Sequence, residues 1–74
     1  MPLTPETISE LNTLNDYAAR HHGPFVDLVH GHGALRSEFL EVEQALARRD
    51  LPSLRAELMD LANVATRWRE ALGE

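Results

Sequence analysis

Ile8, Leu11, Leu14 and Ala18 recur at three- and four-residue intervals, with Tyr17 beside them and polar residues between. A period near 3.6 puts such positions on one face, so the pattern predicts an amphipathic helix over about Thr4–Arg20. Thr4 is a good N-cap, Pro5 suits the first helical position, and Glu6 sits near the positive end of the dipole. His21-His22-Gly23-Pro24 punctuates its end. Phe25 to His30 is too short to divide between a helical turn and an extended piece, and His30-Gly31-His32-Gly33 is expected to break regular structure. A second helix is predicted over about Ala34–Arg49, with Leu35, Phe39, Val42 and Leu46 as its apolar stripe. Arg48 and Arg49 fall in its last turn, where cations suit the dipole. Asp50-Leu51-Pro52-Ser53 reads as a tight connection in which Asp50 caps and Pro52 fits the first turn of a new helix. The third helix, about Pro52–Leu72, has the strongest rhythm: Leu54, Leu58, Leu61, Ala65, Trp68 and Leu72, spaced 4-3-4-3-4, before Gly73 ends it.

These elements predict an all-α fold. A short connection makes the second and third helices pack antiparallel, giving a small antiparallel bundle of three main helices in one domain, residues 1–74. A chain of 74 residues buries only about 60–65% of its unfolded surface. With no cysteine it has neither disulfide staples nor a thiolate zinc site, so oligomerisation is the expected way to complete the core. Net charge is −5, which argues against nucleic acid as the main partner. No apolar run approaches the roughly 18–20 residues of a membrane span, and Met1-Pro2-Leu3-Thr4-Pro5-Glu6 has no basic-then-apolar signal pattern, so a cytoplasmic protein without membrane contact is expected. All seven basic residues are arginine, a pattern read first as genomic base composition, although arginine also suits bidentate phosphate contacts.

The acidic residues carry the chemistry. Glu38 and Glu41 are spaced i, i+3 on the second helix, and Glu57 and Asp60 likewise on the third. Residues three apart share a helix face, with Cβ atoms about 5–6 Å apart. Each pair flanks its own apolar stripe, so four carboxylates can converge beside the core. Ionised together they repel, and a cation must neutralise them. All-oxygen ligands favour Mg²⁺, Mn²⁺ or Ca²⁺ over zinc, and Mg²⁺ on a few carboxylates is a usual seat for substrate phosphates. The other reading of the spacing is two solvated helix faces, since Glu is common there.

Glu38-Phe39-Leu40-Glu41-Val42-Glu43-Gln44-Ala45-Leu46, followed by Leu54-Arg55-Ala56-Glu57-Leu58-Met59-Asp60-Leu61, resembles the MazG-like all-α nucleoside triphosphate pyrophosphohydrolases, which carry E-x-x-E on one helix and E-x-x-D on the next. The likeness covers about Leu35 to Trp68. It implies Mg²⁺-dependent hydrolysis, with Mn²⁺ as a substitute, of a nucleoside triphosphate to the monophosphate and pyrophosphate. It also implies cleansing of non-standard or deoxynucleotides from the pool, and a homodimer or homotetramer. By the same likeness Glu38, Glu41, Glu57 and Asp60 are metal ligands, and Glu38 or Glu41 is the base. Phosphoribosyl-ATP pyrophosphohydrolase is the competing member of the superfamily, and a non-catalytic helical interaction module is the competing reading outside it.

Other residues stay open between two or more roles. Arg36 and Arg55, each two residues before a motif glutamate, either pair with neighbouring acids or reach a phosphate. Asn63, three after Asp60, either supports a metal ligand or sugar hydroxyl or is plain helix surface. His21, His22, His30 and His32 read as a surface loop, a ligand-contacting loop (His32 foremost) or a histidine metal site. Trp68 reads as core, as dimer interface or as a base-stacking platform, and Asn12, Asn15 and Tyr17 as polar helix surface or readers of a nucleobase edge.

Overall fold

The computed structural model describes residues 2–23, 25 and 28–73. Three helices follow one another, α1 (Pro5–His21), α2 (Leu28–Ala47) and α3 (Leu51–Leu72), and no strand occurs among the described residues. The all-α class read from the sequence is what the structure has.

The helix ends are set by local chemistry. Thr4 caps α1, its hydroxyl accepting from the Thr7 N–H at 3.2 Å, with Pro5 following. Asp50 caps α3, with Oδ1 accepting from the Ser53 N–H and Oδ2 from the Ser53 hydroxyl at 2.7 Å. Gly73 closes α3 at φ 72°. Between α2 and α3 the chain turns in a Schellman motif. The Asp50 N–H donates to the Ala45 carbonyl and the Arg49 N–H to the Leu46 carbonyl, with Arg49 at φ 58° in the left-handed position that glycine usually fills. Arg48 and Arg49 therefore form the turn itself and are not in the last turn of α2.

The start of α2 departs further from expectation. The helix begins at Leu28, six residues before Ala34, and runs straight through His30-Gly31-His32-Gly33. Of the ambiguous stretch from Phe25 to His30, Leu28 onward is helical, Phe25 lies outside any helix, and residues 26 and 27 lie outside the described residues. Gly31 explains the difference. It is buried, and a Cβ built on it would fall onto the Trp68 indole of α3. Its missing side chain makes room for an aromatic ring, which offsets the roughly 1 kcal/mol that a mid-helix glycine costs.

α3 is central: α2 packs along one side of it and α1 along another, while the backbones of α1 and α2 do not approach each other. The buried apolar residues are few and small: Ala18, Val42, Ala45 and Val64. The predicted stripe of α2 is only partly the packed one. Val42 is buried and Leu35 is half-buried, but Phe39 and Leu46 are 52% and 54% exposed. The face toward α3 instead runs through Gly31, Ala34, Glu38, Val42 and Ala45. On α3, Leu54, Leu61 and Trp68 are half-buried, while Leu58, Ala65 and Leu72 are exposed and the buried residues are Asn63 and Val64. The chain exposes 5853 Å² in all. No described helix is long and apolar enough to cross a membrane.

Candidate functional site

The inward face of α2 is lined with small residues except at one position, where Glu38 stands two turns after Gly31. Glu41 follows one turn later at the rim, and α3 presents Glu57 against both. One carboxylate oxygen from each of Glu38, Glu41 and Glu57 can be chosen so that all three lie within 4.8 Å of one another. Glu38 and Glu57 are half-buried and Glu41 is exposed. Oε2 of Glu38 and Oε2 of Glu57 are each shut off from solvent with no hydrogen-bond partner.

Three carboxylates this close cannot all ionise at ordinary cost. Glu38 bears most of the strain: burial first, then a proton shared with Glu41, then the charges of Glu41, Asp60 and Glu57 push its carboxyl from 4.5 up to about 7. Glu57 is also raised, first by sharing a proton with Glu41 and then by burial. Asp60 is raised by burial and by the charge of Glu41. Asp60 thus belongs to the same electrostatic unit but is not one of the three whose oxygens converge. It borders instead a cavity of about 400 Å³ between α1 and α3, with Ser9, Glu10, Thr13 and Met59.

The secondary candidates lie elsewhere. Arg36 and His32 border an apolar groove of about 440 Å³ with Leu35, Phe39, Leu61 and Ala65. Arg55 lines a cavity between α1 and α3 with Leu3, Leu11, Leu54 and Leu58. The basic residue whose charge reaches the cluster is Arg48, which lowers Glu57 against the other contributions. Its place in the turn is what brings it there, and no spacing rule within one helix could show that. Asn63 is occupied: its Nδ2 donates to Asn15 Oδ1 at 2.6 Å, tying α3 to α1. Among the described residues no histidine joins a metal-ligating group. His21 stacks on Tyr17 at 4.1 Å, and the edge of His30 meets Phe25 at 5.0 Å. Trp68 packs on Gly31, and its Nε1–H is buried without a partner.

Arg67 is a further candidate that the spacing of the acids does not mark. Its Nη2 donates to the Gly23 carbonyl at 2.7 Å, and its guanidinium lies over the Phe25 ring at 4.7 Å. With His22, His30 and Ser37 it lines a cleft of about 300 Å³ that has Glu38 on its wall. Arg67 is ten residues after Glu57 on α3, which turns it about 80° away around the helix, so spacing within one helix does not mark it.

No family model, curated protein or solved structure matches this chain.

The donor set suits a hard divalent cation. It is all oxygen, it is anionic, and two of its oxygens are buried without a donor to satisfy them, a state that a cation would relieve. A soft or nitrogen-preferring metal finds no matching ligand here.

Proposed function

We propose that this chain is a Mg²⁺-dependent nucleoside triphosphate pyrophosphohydrolase of the MazG-like kind. It cleaves a non-standard or deoxynucleoside triphosphate to the monophosphate and pyrophosphate and so serves the cytoplasmic nucleotide pool. The observation that carries the proposal is the convergence of Glu38, Glu41 and Glu57 with two buried, unpartnered oxygens. Glu38, Glu41 and Glu57 would hold the ion, with Asp60 adding negative charge beside them. Bound there, Mg²⁺, or Mn²⁺ in its place, would clamp phosphate oxygens and spread the charge that develops on them. The chain's own work is to fix the ion and to take the proton from the water that attacks the α-phosphorus. Glu38 or Glu41 would be the base, taking that proton on a carboxylate oxygen that the ion leaves free.

The working form in this proposal is a dimer or tetramer of antiparallel three-helix bundles. A folded monomer of this mass exposes roughly 4,600 Å², against the 5853 Å² of this chain. Phe39, Leu61, Ala65 and Leu35 around the groove between α2 and α3 supply the apolar surface that a second copy would cover. The same groove favours a second reading, a non-catalytic helical interaction module whose acids are only solvated.

A panel of ribo- and deoxynucleoside triphosphates, assayed with Mg²⁺ for pyrophosphate, tests the enzyme. At least one should yield pyrophosphate, Mg²⁺ or Mn²⁺ should raise the thermal midpoint, and both effects should vanish in Glu57→Ala. A marked preference for phosphoribosyl-ATP would move the assignment to that branch. No pyrophosphate from any nucleotide, with no thermal response to either metal, leaves the interaction module.

A further inference from the structure

The cleft beside the acidic cluster has an unusual pair of walls. Glu38 lies on one, and Arg67, His22 and His30 supply the basic groups of the others, with Ser37 adding a hydroxyl. A carboxylate and a guanidinium that share so small a space usually pair. These do not: among the described residues the guanidinium donates to the Gly23 carbonyl, while Oε2 of Glu38 is shut off from solvent with no hydrogen-bond partner. The reason is mechanical. Arg67 is engaged across the cleft by the Gly23 carbonyl and the Phe25 ring, which hold it in place of Glu38. A guanidinium has five N–H donors, and among the described residues the Gly23 carbonyl is the one hydrogen-bond acceptor of Arg67.

A ligand that fits must offer negative charge to Arg67 and, through a cation, also satisfy Glu38. A polyphosphate carrying a divalent ion does both, because some of its oxygens hold the ion while others remain for the guanidinium fork. A neutral or stacking ligand fits poorly, since the Arg67 guanidinium already covers the Phe25 ring. The whole chain is acidic at −5, so attraction for an anion has to come from a locally placed cation such as Arg67.

We propose that the cleft between Glu38 and Arg67 seats the phosphate chain, with Arg67 binding the phosphate oxygens that the divalent ion does not hold. The identity of the anion rests on the pyrophosphohydrolase reading, while the cleft itself does not. Calorimetric titration of the full chain with inorganic tripolyphosphate in excess Mg²⁺, beside titration with Mn²⁺ alone, tests it. Tripolyphosphate affinity should fall about tenfold or more in Arg67→Gln and less in Arg67→Lys, which keeps the charge but loses the planar fork. His22→Gln, at an exposed position, should weaken it a few-fold, and Mn²⁺ affinity should be the same in all four proteins. Equal tripolyphosphate affinity in wild type and Arg67→Gln overturns the proposal. So does an equal loss in the Gln and Lys variants that follows their thermal midpoints, which would mark Arg67 as only a tie between Gly23 and α3. Absence of Mn²⁺ binding and of pyrophosphate release, with Arg67-dependent tripolyphosphate binding intact, would remove the enzymatic reading and leave the anion site standing.

Discussion

α3 makes two seams, and each contains polar side chains. Against α1 it sets Asn63, 8% exposed, whose amide donates to Asn15 Oδ1. Against α2 it sets Glu57, which faces Glu38 and Glu41, and Oε2 of Glu57 and of Glu38 are buried with no hydrogen-bond partner among the described residues. The first seam is closed chemically: donor meets acceptor, both are neutral, and the pair fixes how α1 lies on α3. The second is open, since like charges meet and the carboxyls rise to hold protons. A folding chain gains nothing from gathering three acids with two of their oxygens shut off from water. The difference therefore separates a polar contact that serves the fold from one that costs stability.

Substituting one residue in each seam should produce opposite responses, and the largest effect is expected here. Glu38→Gln should cut pyrophosphate release by about 10²–10⁴-fold, the usual worth of a general base, while raising the metal-free thermal midpoint at pH 8, because an amide replaces a charge that must be buried and can donate to Glu41 or Glu57. Asn63→Ala should do the reverse, lowering stability by about 1–2 kcal/mol with the Mn²⁺ titration unchanged. If calorimetry and thermal melts show both variants destabilised alike, the two seams are the same kind of contact and the contrast is lost.

Gly31→Ala reaches the α2 seam without touching a carboxylate. Its Cβ would collide with the Trp68 ring, and overpacking of this kind costs about 1–3 kcal/mol. Denaturant melts measure the cost, and a Glu38 carboxyl forced off Glu57 would show as weaker Mn²⁺ binding. Gly33→Ala is the control, since a Cβ there meets open space. It should be neutral or stabilising, as Gly to Ala is in an exposed helix. The same pair of glycines shows what could be read in advance. Thr4, Asp50 and Gly73 announce helix ends through local chemistry, and the i, i+3 acids announce a shared face through geometry. Gly31 looks like a breaker because its reason for being glycine is Trp68, 37 residues away. Phe39 and Leu46 read as inward-facing because their spacing with Leu35 and Val42 makes one apolar stripe. The inner line of α2 is instead traced by small residues, with Glu38 among them, and only the packing partner reveals that line. The anchoring of Arg67 has no local signal either, because Gly23 lies 44 residues away.

The smallest expected effect is the pH dependence of the open seam without metal. In the folded chain the Glu38 carboxyl is pushed up from 4.5 to about 7, so the folded state keeps a proton that the unfolded chain releases between those values. Stability that depends on this group is fully present below about 4.5 and is lost as pH rises through 7. Glu57 and Asp60 are raised as well and add with the same sign. Asp50 moves the other way, lowered by its hydrogen bonds from Ser53, and its contribution fades only as pH drops below its ordinary 3.8, outside this window. Because Glu38 is partly solvated the loss should be on the order of 1 kcal/mol, well under the full linkage value. That is about 4–8 °C in the midpoint between pH 5 and pH 8 in EDTA. Mg²⁺ at pH 8 should recover it, since the cation takes the place of the shared protons. Glu38→Gln should flatten most of the slope, whereas Asn63→Ala should shift the whole curve down and keep its shape. A wild-type midpoint that holds or climbs from pH 5 to 8 in EDTA would mean that the three carboxyls ionise independently. The seam against α2 would then be as self-sufficient as the seam against α1.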